Sequence, residues 1–179
     1  MGEIIVMGKN GKSTKRKTGS LESLVVGIDP GKGGGMAVIK SNVYDFGAKI
    51  FTAHSCPETI EEMVGFIGML KSESPYITCF LEKVHAFPTD GRSSAFKFGM
   101  NYGIWRGILC AFGIKTELIT PQAWQKTFGI LPKNKQERKR KLKEIATKKS
   151  NVKATLKTAD AICIALYGHE LMQSERKWA

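Results

Sequence analysis

Residues 24–40 read LVVGIDPGKGGGMAVIK, and they constrain the fold more than any other stretch of the chain. An apolar run carries a carboxylate, Asp29, into Pro30 and Gly31; after Lys32 come Gly33, Gly34 and Gly35, and then the apolar pattern resumes. Residues 23–29 predict a buried strand. Residues 35–40 and 44–52 predict two more, joined by short turns in an antiparallel meander. A strand end holds a carboxylate rigidly, as a metal ligand requires. Gly31, Gly33, Gly34 and Gly35 permit a tight turn and the close approach of a phosphate backbone. The turn is not a P-loop: G-x-x-x-x-G-K-[ST] is absent, and no G-x-G-x-x-G follows a strand and opens a helix.

Beyond the meander, residues 57–73 place Ile60, Val64, Ile67 and Leu70 at helical spacing, with Pro57 in the first turn and acids after it. Residues 76–82, YITCFLE, predict a strand that again ends on a carboxylate, Glu82. A long amphipathic helix over 93–112 carries Gly99, Gly103 and Gly107 on one face. Each costs ~1 kcal/mol of helix stability relative to alanine, so the stripe points to close packing, against the sheet or against a second copy. Residues 114–120 predict a short strand. A helix follows with Thr120 as N-cap and Pro121 at its first position. The last helix spans 158–173, with Ala161, Ile164, Ala165 and Leu171 inward and Asp160 in its first turn. Trp105 and Trp124 sit in apolar helical patterns, as core or interface residues. The order β-β-β-α-β-α-β-α-α describes an α/β fold: a mixed central sheet, antiparallel meander plus parallel strands, flanked by helices.

The 179 residues suit one domain. Residues 1–22 read as a disordered basic N-terminal arm, 23–173 as the folded domain and 174–179 as a short C-terminal tail. The net charge of +12 exceeds what a fold needs and points to an anionic partner, nucleic acid first. The longest apolar stretch, residues 98–114, is interrupted by Asn101 and Arg106 and falls short of the ~20 residues a membrane span needs. The polar, basic N-terminus has no signal-peptide pattern. Cys56, Cys79, Cys110 and Cys163 are widely spaced in apolar patterns and read as buried thiols. Together these place the chain in an intracellular, reducing compartment: a bacterial cytoplasm, a phage-infected cell or an organelle.

Asp29, Glu82 and Asp160 each lie within or beside an apolar run, where an unpaired carboxylate is costly to bury. Clustered carboxylates raise one another's pKa unless a cation sits among them. Mg²⁺ suits such a set, because it takes a few carboxylates and keeps several waters. Two ions ~3.5–4 Å apart activate a water and stabilise the leaving oxygen in phosphodiester cleavage. Read singly, each acid has a plainer role: a turn cap, a lysine partner, a helix N-terminal acid.

GIDPG on the first strand, LEKVHAFP with its glutamate at a strand end, SSAFKFGMNYG on a long helix, TPQAWQK, and ADAICIALYG on the last helix occur in that order. Together they resemble the RuvC-like Holliday junction resolvases, most closely the branch of phages and chloroplasts, over roughly residues 23–169. The resemblance implies an RNase H-like fold and a homodimer, joined through the 93–113 helix, that cuts four-way DNA junctions by paired symmetric nicks. It implies Asp29, Glu82 and Asp160 as catalytic, metal-binding acids using Mg²⁺ or Mn²⁺, two ions per site. The family's fourth position, an Asp or His one turn before the last acid, falls here on Thr155, Leu156 and Lys157, none of them a good Mg²⁺ ligand. The alternative is therefore a catalytically weak or inactive junction-binding protein of the same fold. A nucleotide-handling actin-like ATPase is a third reading, for which the chain is too short.

The DNA contacts follow the cations. The arm (Lys9, Lys12, Lys15, Arg16, Lys17) and residues 133–149 hold 14 of the 28. Arg138 to Lys141 are four in succession, which cover every face of a helix turn and suit phosphate contact. Lys133, Lys135, Arg138, Lys139 and Arg140 are the expected contacts there, with Lys83, His85, Arg92, Lys97 and Lys157 elsewhere. Phe87 is either core or a wedge that stacks on an unpaired base. No base-reading motif is present, so recognition runs through shape and backbone.

Overall fold

The computed structural model describes residues 4–7, 13–16, 22–31, 33–42, 50–83 and 91–176. Its centre is a five-stranded sheet built from β3 (Glu22–Asp29), β4 (Gly35–Asn42), β5 (Ile50–Ser55), β6 (Tyr76–Glu82) and β7 (Lys115–Ile119). The order across the sheet is β5-β4-β3-β6-β7. β3, β4 and β5 are antiparallel neighbours, whereas β3, β6 and β7 run parallel. This is the mixed sheet expected from the sequence.

Alternation along β3 sends side chains to two cores. Leu24, Val26 and Ile28 join Met63, Ile67 and Leu70 of α1 (Ile60–Glu73) and Trp105 and Leu109 of α2 (Arg92–Ala111). Val25 faces the other core, with Trp124 of α3 (Pro121–Lys126), Leu142 and Ala146 of α4 (Lys135–Lys149) and the apolar residues of α5 (Ala159–Arg176). α5 crosses β3 so closely that a Cβ on Gly27 would lie 2.4 Å from both Ala161 O and Ala165 N.

Several expectations are corrected. The segment read as a disordered arm contains a two-stranded antiparallel ribbon, β1 (Ile4–Met7) paired with β2 (Ser13–Arg16), and Glu22 already belongs to β3. The strand expected over 44–52 is described as Ile50–Ser55; residues 43–49 lie outside the described residues. α1 starts at Ile60, not at Pro57, because Thr59 and Glu62 form a capping box: Thr59 Oγ1 accepts from Glu62 N at 3.2 Å, and Glu62 Oε2 accepts from Thr59 N at 3.3 Å. Its buried stripe is Met63, Ile67 and Leu70, while Ile60 and Val64 face outward. Cys79 and Cys163 are buried and Cys56 is half-buried, but Cys110 is exposed. α5 runs on to Arg176, past the expected end at 173.

Candidate active site

Two parallel strands bring the first two acids together. Ile28 pairs with Leu81, so Asp29 and Glu82 stand one residue further along adjacent strands, at the same end and on the same side. That side is the one α5 covers, and Asp160 enters from its first turn.

Each acid is held by its own neighbours. Asp29 is 9% exposed, and its Oδ1 accepts the Gly31 N–H at 3.0 Å. A Cβ on Gly34 would lie 2.6 Å from the Asp29 Cγ, so that glycine makes room for the carboxylate itself. Gly35 makes room for the turn before α5, since a Cβ there would lie 2.8 Å from the Lys157 carbonyl. The glycine run thus serves the packing of the site, with Gly33 alone facing open space. Cys56 donates its thiol to the Asp29 carbonyl at 3.1 Å, and Asn101 of α2 donates to the Pro30 carbonyl. Glu82 Oε1 accepts the Trp124 indole N–H at 2.9 Å. Asp160 Oδ1 is buried and accepts no hydrogen bond among the described residues.

The electrostatics tie the three into one set. Burial, with the charges of Asp29 and Asp160, pushes the Glu82 carboxyl up to about 7 against the Trp124 hydrogen bond and the Lys139 charge. Asp160 rises to about 6 through burial and the Asp29 charge, opposed by Lys139 and Arg138. Asp29 is raised by burial, opposed by the Gly31 N–H and Lys139. Lys139, on α4, is therefore the cation whose field reaches all three acids.

The donor set fits a hard divalent cation. It consists of oxygens, they repel one another, and one buried oxygen has no donor. Among the described residues no three or more His, Cys, Asp or Glu side chains stand together as a group that could hold a metal ion. Mg²⁺ does not need three, since it binds through one or two carboxylates and retains water.

Lys157 does not enter the site. Thr155 and Thr158 lock the turn around it, with Thr158 Oγ1 accepting from Thr155 N at 2.9 Å and Thr155 Oγ1 accepting from Thr158 N at 3.1 Å, and Lys157 is left exposed. Lys83, Arg92, Lys97, Lys133, Lys135 and Arg140 are also exposed, while Arg138 and Lys139 are half-buried. His85 and Phe87 lie outside the described residues. Sequence reasoning placed Trp124 in the core but missed its bond to Glu82. The signal was there: a buried indole N–H needs an acceptor, and a strand ending on a carboxylate offers one. The field of Lys139 on the acids was also missed, because it depends on how α4 packs against α5.

Fold and carboxylates together define the class: an RNase H-like α/β domain with acids at the ends of two adjacent parallel strands and at the start of the last helix. Among solved structures the chain is similar to Thermus thermophilus RuvC. One such structure is 18% identical, with 85% of this chain and 97% of that chain covered at a TM-score of 0.54. A structure of RuvC from the same organism in complex with a Holliday junction substrate is also 18% identical, covering 84% and 96% at 0.51. The chain has the RuvC-type fold. No family model and no curated protein sequence matches it.

Proposed function

We propose that the chain is a divalent-metal endonuclease that cuts four-way DNA junctions by paired symmetric nicks in recombination and repair, with residues 23–173 as its nuclease domain. The observation that carries this reading is the desolvated, mutually repelling set of Asp29, Glu82 and Asp160 on a RuvC-type sheet. The RuvC complexed with a Holliday junction substrate supports the choice of DNA.

Asp29, Glu82 and Asp160 would hold Mg²⁺ or Mn²⁺, two ions per site, supplying an activated water and a stabilised leaving oxygen. The strand ends keep Asp29 and Glu82 in place, and the Trp124 N–H orients Glu82 and favours its charged form. Lys139 and Arg138 put positive charge beside the acids, where a scissile phosphate would lie. Trp124→Phe keeps the ring and removes the donor. Its expected effect is a cleavage rate about tenfold lower at neutral pH, with the acid limb of the pH–rate profile displaced upward. An unmoved limb would reduce Trp124 to packing.

A homodimer through α2 completes the reading. Among the described residues its outer face is bare: Phe96 is 72% and Met100 52% exposed, and a Cβ on Gly99, Gly103 or Gly107 would meet none of their atoms within 4 Å. The glycine stripe therefore does not pack on the sheet. Among the described residues no helix is long and apolar enough to cross a membrane.

The test is a labelled four-way junction beside linear duplex, each with Mg²⁺, Mn²⁺ or EDTA, with sedimentation of the chain alone and bound. Symmetric paired nicks in the junction only, lost with EDTA, are expected from a dimer. Tight junction binding with no nick under any metal would favour the binding-only reading, for which exposed Lys157 in place of a fourth acid is the specific support. No preference for the junction would overturn both.

A further inference from the structure

α4 carries cations on two faces. Arg138 and Lys139 are half-buried, and their charges reach Asp160. Arg140, Lys143 and Lys148 line an open groove of about 600 Å³, together with Glu144, Thr147 and Leu156. The charge balance of the groove is strongly positive, because its one acid, Glu144, stands 3.6 Å from Lys141 Nζ. Leu156 is 50% exposed, yet it rides on the turn locked by Thr155 and Thr158. An exposed leucine on a groove that three cations also line matches a ligand with both a phosphate and an apolar face. A free inorganic anion would make no use of Leu156.

We propose that this groove holds the backbone of a DNA strand as it leaves the carboxylate site, the cations on phosphates and Leu156 against a sugar. The extension rests on the junction-binding reading above. Its place in the chain supports it: Arg140 follows Lys139 directly on α4, and Leu156 precedes Asp160 by four residues, so the groove is built from the same elements as the site. Lys143, Lys148 and Leu156 thereby become DNA contacts that the cation run alone did not single out.

The test is fluorescence anisotropy of a labelled four-way junction in EDTA, from about 50 to 200 mM salt. Each phosphate contact contributes about 0.9 to the slope of log affinity against log salt. Arg140→Ala/Lys143→Ala/Lys148→Ala is expected to weaken binding at least about tenfold and to reduce the slope by about 2 to 3. Leu156→Ala is expected to weaken binding about fivefold with the slope unchanged, as loss of an apolar contact should. Lys71→Ala/Lys115→Ala, on α1 and β7, is the control expected to change neither. Lys115, Arg140 and Lys148 are exposed and Lys71 and Lys143 half-buried, so thermal melts of each variant check that it folds. A triple variant with the wild-type slope would overturn the groove and leave junction binding intact. Wild-type protein that ignores the junction would overturn both.

Discussion

Asp29→Asn is expected to abolish cleavage and at the same time to stabilise the metal-free protein. The activity loss follows from the metal, whose charge stabilisation amounts to several kcal/mol, so that roughly 10³-fold or more of the rate should go. The stability gain follows from the repulsion, because Asp29 raises both Glu82 and Asp160. Glu82 moves from an ordinary 4.5 to about 7 and Asp160 from 3.8 to about 6. Both folded values lie above the unfolded ones, so the folded protein binds more protons between about pH 4 and 7. Metal-free wild type should therefore be most stable below that window and lose stability as the pH climbs through 6 and 7. Asn at 29 should flatten the decline, a gain on the order of 1 kcal/mol at neutral pH. Mg²⁺ should raise the wild-type melting temperature at pH 7.5 through preferential binding to the folded state, and the variant's far less. Melting curves from pH 4 to 8, with and without Mg²⁺, check all of this. A variant that melts below wild type throughout would refute the repulsive cluster.

Gly27→Ala is expected to be among the most damaging single-methyl changes at the described residues. The new Cβ would meet main-chain atoms of α5 at 2.4 Å, and main chain cannot rotate away. Overpacking usually costs 1–3 kcal/mol, and contact with backbone on both sides puts this case at about 3 or above. For a chain of this size that is a melting temperature lower by roughly 6–12 °C. α5 can relieve the clash only by lifting, which carries Asp160 away from Asp29. Cleavage should then fall even at temperatures where the variant is fully folded. Calorimetry with a cleavage assay well below the transition checks both; an unchanged melt would mean that α5 sits further from β3 than described.

Much of this was legible in the chain because it is local. The run into Asp29, the strand ending on Glu82 and the Thr120-Pro121 helix start are written in a few consecutive residues each. What was not legible depends on contacts distant in sequence. Ile60 and Val64 share a helical period with Ile67, but only the approach of the sheet and α2 decides that Met63, Ile67 and Leu70 go inside. Cys110 looked buried because its neighbours are apolar, yet it stands on the outward side of α2. Gly34 reads as allowing a tight turn and the approach of a phosphate, whereas the atoms nearest its missing side chain are the main-chain oxygen and the carboxylate of Asp29. The field of Lys139 on three acids needs α4 laid along α5, which no local pattern announces.

The parallel pairing of β3 with β6 has a wider consequence. Two strands running the same way finish together, so the main-chain spacing of their terminal acids is inherited from the hydrogen-bonded ladder. If the proposed function holds, cutting chemistry and choice of substrate are separable in this architecture: the connections beyond the strand ends could vary, and with them the branched DNA admitted, while the strand ends that carry the two carboxylates stay paired.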